Sequence, residues 1–96
     1  MTAFLLSQFA ALDEADARRY AELAAPTVAG YGGRYLVRGA RPHVLEGNWA
    51  PQQRISIVEF QANDVLQAWY RSDEYAAALA VRTSSMTRSL VSIDGV

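Results

Sequence analysis

Residues 34–60 read RYLVRGARPHVLEGNWAPQQRISIVEF, and this stretch contains two β-rich runs separated by turn-forming residues. Residues 34–38 alternate, with Tyr35 and Val37 on one face, and residues 54–60 are rich in isoleucine and valine, as is typical of strands. Gly39 indicates a bulge or a turn after the first run. Residues 43–46 resume the extended pattern, and the glycine, asparagine and proline within 47–53 supply turn chemistry. The stretch therefore predicts a β-hairpin whose loop runs from about residue 47 to residue 53.

Amphipathic segments on both sides of this hairpin predict helices. Asp13 stands at an N-cap position before an apolar stripe of helical spacing, and Pro26 predicts a kink or an early end of that helix. Asn63 is expected to cap the second helix. Ser72 supplies another cap within the same segment, so the second helix is expected to bend near Ser72.

Apolar alternation predicts two further strands, one within residues 1–12 and one over residues 88–94. In the second of these, Val91 and Ile93 are expected on one face and Arg88 and Leu90 on the other. The predicted order is strand, helix, strand, strand, helix, strand, which is the βαββαβ pattern of a ferredoxin-like α+β fold. We expect a single domain over residues 1–96, an antiparallel sheet and two helices on one of its faces. The other face would carry isoleucine, valine and leucine side chains, so a second subunit is expected to cover it.

Composition narrows the classes of function. The chain has 96 residues, nine basic and ten acidic side chains, a formal net charge of −1 and no cysteine. Disulfides and thiolate metal sites are excluded, a single histidine argues against any metal site, and the net charge argues against nucleic-acid binding. No apolar run is long enough to cross a membrane, and no signal peptide is evident. We expect a cytoplasmic protein without a cofactor.

Charged residues of the hairpin are the first candidates for a site. Arg34 and Arg38 are expected to share one face of their strand, where they would hold a carboxylate or phosphate. Pairing with Glu46 and Glu59 on neighbouring strands is the structural alternative. His43 is the only histidine, so a neutral-pH proton transfer would use it as the base, although a packing or surface role is the simpler interpretation.

The two tryptophans are the other candidates. Trp69 is expected on the second helix, either lining a pocket for a flat ligand or filling the core. Trp49 is expected in the hairpin loop, where a tryptophan is costly to expose. We therefore predict that Trp49 lies at a subunit interface, with ligand contact and local packing as alternatives.

Four segments together resemble the domain-of-unknown-function family 1330. The resemblance rests on residues 26–40, which contain YGGRYLVRG, on VLEGNW at 44–49, on IVEF at 57–60 and on AWYRSDEY at 68–75. It implies a ferredoxin-like fold of the dimeric α+β barrel superfamily, in which two sheets face each other and the helices lie outside. The resemblance implies no reaction and no catalytic residues.

Three functional hypotheses follow. A homodimer would bind a small anionic or aromatic metabolite in a cleft between sheet and helices, with Arg34, Arg38, His43 and Trp69 as lining residues. Alternatively, the protein is a cofactor-independent enzyme, of isomerase or monooxygenase type, with His43 as base and Arg38 steadying an oxyanion. A structural dimer without a ligand is the third hypothesis, and a closed interior without a pocket would favour it.

Overall fold

The computed structural model describes residues Met1–Val96 and has the predicted ferredoxin-like α+β architecture. The elements are β1 (Ala3–Ala11), α1 (Glu14–Gly30), β2 (Arg34–Ala40), β3 (Arg54–Phe60), α2 (Asn63–Tyr70), α3 (Asp73–Ser85) and β4 (Met86–Asp94). The four strands are antiparallel and form one sheet in the order β2-β3-β1-β4. None of the helices is long and apolar enough to cross a membrane.

The register of the strands separates two faces of the sheet. Leu5 on β1 lies opposite Val58 on β3, and both are buried beneath the helices. Because directly opposed residues of antiparallel strands share a face, the alternate positions form the second face, on which no helix packs. We call this second face the open face. Its apolar side chains are Phe4, Leu6, Val37, Ile55, Ile57, Val91 and Ile93.

The helix ends agree only partly with the predictions. Asp13 caps α1 as expected, with its carboxylate accepting the Asp16 backbone N–H at 2.9 Å, but α1 continues through Pro26, so the predicted early end is wrong. The N-cap of α2 is Ala62, so the capping role predicted for Asn63 is also wrong. Ser72 caps a separate helix, α3, and the predicted bend is therefore a complete break between two helices.

The connection between β2 and β3 is longer than predicted. Residues 41–53 contain no strand, so the strand expected at 43–46 is wrong. The last pair between these strands joins Ala40 to Ile55, and the residues just before β3 form a turn at Pro51. Residues 43–46 therefore have no strand opposite them with which to form ladder hydrogen bonds.

The main core lies between the helices and the covered side of the sheet. Its largest fully buried side chains are Trp69, Tyr75 and Phe60, which are brought together from α2, α3 and β3. The Trp69 ring lies 4.2 Å from that of Tyr75 and 5.6 Å from that of Phe60, measured between centroids. Aromatic packing therefore joins both C-terminal helices to the sheet.

Gly33 allows the chain to enter β2 against this core. A Cβ atom at Gly33 would lie 2.7 Å from Val28 Cγ1 and 2.9 Å from Phe60 Cε1. We expect Gly33→Ala to lower the free energy of unfolding by about 1–3 kcal/mol through overpacking, measured by urea denaturation. Gly30→Ala is the control because nothing lies within 4 Å of its Cβ position, and no loss is expected there. Equal losses in both variants would contradict this explanation.

Candidate functional site

A cavity of about 270 Å³ lies between α1 and the covered side of the sheet, and we call it the α1 cavity. Helix α1 packs mainly against α3 and does not rest closely on the strands. Ala17 and Ala21 are among the residues of α1 that line the cavity. Because alanine side chains are short, they do not fill the space between the helix and the sheet.

Part of the cavity wall is apolar and buried. It includes Leu5, Val28, Val58 and Trp69, all of which are at most 6% exposed. The indole N–H of Trp69 donates to Thr27 Oγ1 at 3.0 Å, which fixes the orientation of the ring. Trp69 thus belongs to the core and also lines the cavity, so both interpretations of this residue fit its position.

Four arginines line the cavity, whereas Glu14 is its one carboxylate. Glu14 lies 3.7 Å from Arg54, a long ion pair between partly exposed groups. The positive charge is therefore not neutralised within the cavity wall, and an anion is the expected counter-charge. The four arginines are Arg18, Arg38, Arg54 and Arg88.

A β-bulge determines where Arg38 points. Tyr35 pairs with Val58 and Val37 pairs with Ile57, which leaves Leu36 without a partner of its own. This extra residue returns Arg38 to the face of Tyr35, where its guanidinium lies 4.6 Å from the centre of the Tyr35 ring. The predicted alternation, with Tyr35 and Val37 on one face, is therefore wrong.

The same bulge separates Arg38 from Arg34. Arg34 lies opposite Glu59 and binds its carboxylate at 2.9 Å, on the side of the sheet away from the cavity. This contact matches the alternative in which a carboxylate of the neighbouring strand neutralises the arginine. The predicted anion grip formed jointly by Arg34 and Arg38 is not assembled.

Two further predicted site residues lie in the connection between β2 and β3. His43 is exposed and does not line the α1 cavity. Trp49 is half-buried, and its indole N–H donates weakly to the Gln53 carbonyl oxygen at 3.4 Å. Of the four predicted ligand-binding residues, the structure thus brings only Arg38 and Trp69 to the cavity.

The sequence prediction did not include a polar cluster formed by Tyr20, Tyr75 and Arg88. Arg88 Nη1 donates to the Tyr20 hydroxyl oxygen at 2.8 Å, and both terminal nitrogens of Arg88 lie 3.3 Å from the Tyr75 hydroxyl. The two tyrosine hydroxyls also contact each other at 2.5 Å. Two signals were present in the sequence: Tyr20 lies in the apolar stripe of α1, and Arg88 alternates with Leu90 on the covered face of β4.

The pKa values of two members of this cluster, Tyr75 and Arg88, depart from their ordinary values. Burial raises the pKa of Tyr75 well above its ordinary value, and the neighbouring Tyr20 adds to the effect. Burial disfavours the charged form of Arg88, but the oxygens of Tyr20 and Tyr75 outweigh it, so the pKa of Arg88 lies above its ordinary value. Arg88 is therefore a permanent positive charge beside the neutral phenol of Tyr75.

These features define a small ferredoxin-like α+β domain with a cationic cavity beneath its first helix. The family described as "Domain of unknown function (DUF1330)" matches residues 2–96, so the chain belongs to that family. This agrees with the resemblance noted in the sequence. A comparison with curated proteins finds no match.

Solved structures share the fold at low identity. A protein of unknown function from Rhodopseudomonas palustris has 17% identity and a TM-score of 0.76, over 99% of this chain and 82% of that chain. SnoaB, a cofactor-independent oxygenase from Streptomyces nogalater, has 10% identity and a TM-score of 0.63, over 98% of this chain and 92% of that chain. A dimeric ferredoxin-like protein of unknown function from Bacteroides fragilis has 13% identity and a TM-score of 0.59, over 98% of this chain and 96% of that chain. At these identities the likeness concerns the fold alone.

Proposed function

We propose that this protein binds a small anionic, aromatic molecule in the α1 cavity. The observation that carries the proposal is a cavity wall that combines buried apolar side chains, Trp69 among them, with four arginines and a single carboxylate. An apolar body would be desolvated against Leu5, Val58 and Trp69. Its anionic group would pair with arginine, which binds carboxylate and phosphate oxygens in a bidentate manner.

The two other functional hypotheses have less support. A structural dimer without a ligand is expected to have a filled interior, whereas the space under α1 is about 270 Å³. The enzymatic hypothesis needs a base in the cavity, but His43 is exposed and lies outside its lining. The catalytic role of His43 therefore stays a prediction and forms no part of this proposal.

The functional unit in this proposal is a homodimer formed through the open face. Val91 and Ile93 are each 51% exposed on that face, beside half-buried Phe4 and Leu6. A contiguous apolar sheet face of this kind is typical of a surface that a partner covers. A second copy is the occupant we favour, and the dimeric protein from B. fragilis has the same fold. An interface role for Trp49 and a cytoplasmic location both remain predictions.

Arg38→Gln tests the anion site. Loss of the guanidinium is expected to raise the dissociation constant for 2-naphthoate about tenfold, because a charge-assisted hydrogen bond is lost. The matched control is Arg34→Gln, which removes the same charge from the same strand on the opposite face. Binding of 2-naphthoate and of the neutral 2-naphthylmethanol would be measured by isothermal titration calorimetry.

The pattern of results separates the hypotheses. An equal loss in the Arg38 and Arg34 variants would indicate general electrostatics and contradict a specific site. A second variant, Ala21→Leu, places a larger apolar side chain in the cavity and should remove binding without loss of unfolding free energy. Unchanged affinity in this variant, or wild-type protein that binds no aromatic anion, would overturn the proposed function.

A further inference from the structure

The hydrogens of the Tyr20 and Tyr75 hydroxyls can be assigned by exclusion. Tyr75 is fully buried, and its hydroxyl contacts only Tyr20 and the two terminal nitrogens of Arg88. A guanidinium has donors but no acceptor, so it cannot receive the Tyr75 hydrogen. Because a buried hydroxyl is rarely left without an acceptor, Tyr75 donates to the Tyr20 oxygen.

The hydrogen of Tyr20 must then point elsewhere. The Tyr20 oxygen accepts one hydrogen bond from Tyr75 and another from Arg88 Nη1, so both of its lone pairs are used. No acceptor of the protein lies within hydrogen-bond distance of Tyr20 apart from the Tyr75 oxygen. Tyr20 and Arg88 both line the α1 cavity, so a molecule bound there would lie beside the residue that carries this hydrogen.

We propose that the Tyr20 hydroxyl is a directed hydrogen-bond donor for an oxyanion of the bound ligand: a phenolate, an enolate or a conjugated carboxylate. This inference rests on the proposed function and deepens it, because it places the acceptor oxygen of the ligand inside the cavity beside Tyr20. Arg88 and Tyr75 act as positioning residues that hold the Tyr20 oxygen from behind. The assignment does not require Arg88 to contact the ligand.

The arrangement suits an oxyanion better than a neutral acceptor. Two donors on the Tyr20 oxygen polarise its own O–H bond, since hydrogen bonds in a chain strengthen one another in a low-dielectric site. The fixed positive charge of Arg88 lies one hydrogen bond behind that oxygen, at 2.8 Å. Preorganised donors and charge of this kind stabilise a negative oxygen without further rearrangement. An ammonium group or a hydrocarbon at the same place has no acceptor and would leave the donor unsatisfied.

The test compares two probes of similar shape that differ in the acceptor oxygen. At a pH at which 4-nitrophenol is ionised, wild-type protein should bind 4-nitrophenolate more tightly than 4-nitrotoluene. Tyr20→Phe should reduce this preference about tenfold or more, the effect expected from losing a hydrogen bond to a charged group. Tyr70→Phe is the control, because Tyr70 is 39% exposed and does not line the cavity. The absorption band of the bound phenolate would report loss of the donor independently of affinity.

The outcomes distinguish the inference from the proposed function. If wild-type protein prefers phenolate and Tyr20→Phe retains the whole preference, the role of Tyr20 is overturned while the proposed function stands. If wild-type protein binds neither 4-nitrophenolate nor 2-naphthoate, both are overturned.

Tyr75→Phe provides a second variant should Tyr20→Phe fold poorly, as judged by circular dichroism. Tyr75→Phe leaves the Tyr20 hydrogen free but removes one donor to the Tyr20 oxygen. A partly reduced preference for 4-nitrophenolate, with a shifted absorption band of the bound phenolate, would support the assignment. An unchanged preference and an unchanged band would contradict it.

Discussion

Replacing Trp69 by alanine is expected to lower the free energy of unfolding by about 3–5 kcal/mol, the range for buried large aromatic residues. Trp69 is 1% exposed and packs between Tyr75 and Phe60, so its removal leaves a void that this small core cannot close. The Thr27 hydroxyl also loses its indole donor. Because domains of this size are stable by about 5–15 kcal/mol, urea denaturation should show a much lower midpoint.

Trp49→Ala is the matched control for this prediction. Trp49 is only half-buried, lies in the connection between β2 and β3, and has one long hydrogen bond of 3.4 Å. Trp49→Ala is expected to lower the free energy of unfolding by less than about 1 kcal/mol. The variant and the wild-type protein should be compared at a concentration at which both have the same association state. Similar losses for both tryptophans would show that the core is not centred on Trp69.

The strands and their faces were largely predictable from the sequence because period-two alternation directly reports which side chains are buried. In β4, for example, Val91 and Ile93 were assigned to one face and Arg88 and Leu90 to the other, as the register with β1 confirms. The cap at Ser72 was likewise recognisable, since its side chain satisfies the backbone N–H of Tyr75 at 3.2 Å. Local chemistry was sufficient for these features.

The position of Arg38 was not predictable in the same way. Strict alternation places it with Arg34, and a one-residue slip reverses that assignment. The slip depends on how β2 pairs with β3, namely on the unpaired Leu36 and on Gly39, whose φ is +62° and whose N–H donates to Ser56 Oγ. Glycine at residue 39 suggested a bulge or turn, but not which side chains it would redirect.

The polar cluster of Tyr20, Tyr75 and Arg88 could not be predicted from local sequence patterns, for a different reason. Tyr20 and Tyr75 are separated by 55 residues, and their contact with Arg88 depends on the packing of α1 against α3 and on the position of β4 in the sheet. The same packing separates α1 from the sheet and leaves the cavity that Ala17 and Ala21 line. Helix periodicity indicates which residues face inward, but not the distance between a helix and the sheet.

Replacing Val91 by glutamate is expected to convert the proposed homodimer into monomers. Val91 is 51% exposed in a single chain and lies opposite Leu6 on the open face, so the isolated subunit can solvate the new carboxylate. In a dimer the same group would be buried against the partner's apolar face, which costs several kcal/mol without a counter-charge. We expect the dimer dissociation constant to rise about a hundredfold or more, measured by sedimentation equilibrium and native mass spectrometry.

Ala80→Glu is the control because it adds the same charge at an exposed position on α3, away from the open face. It should leave the association state unchanged, and circular dichroism should show folded protein in both variants. Because the α1 cavity lies on the other side of the sheet, monomeric Val91→Glu protein should still bind 2-naphthoate. A wild-type monomer, or a dimer unaffected by glutamate at residue 91, would contradict association through the open face. Loss of both association and binding in this variant would instead show that the partner subunit supports the cavity.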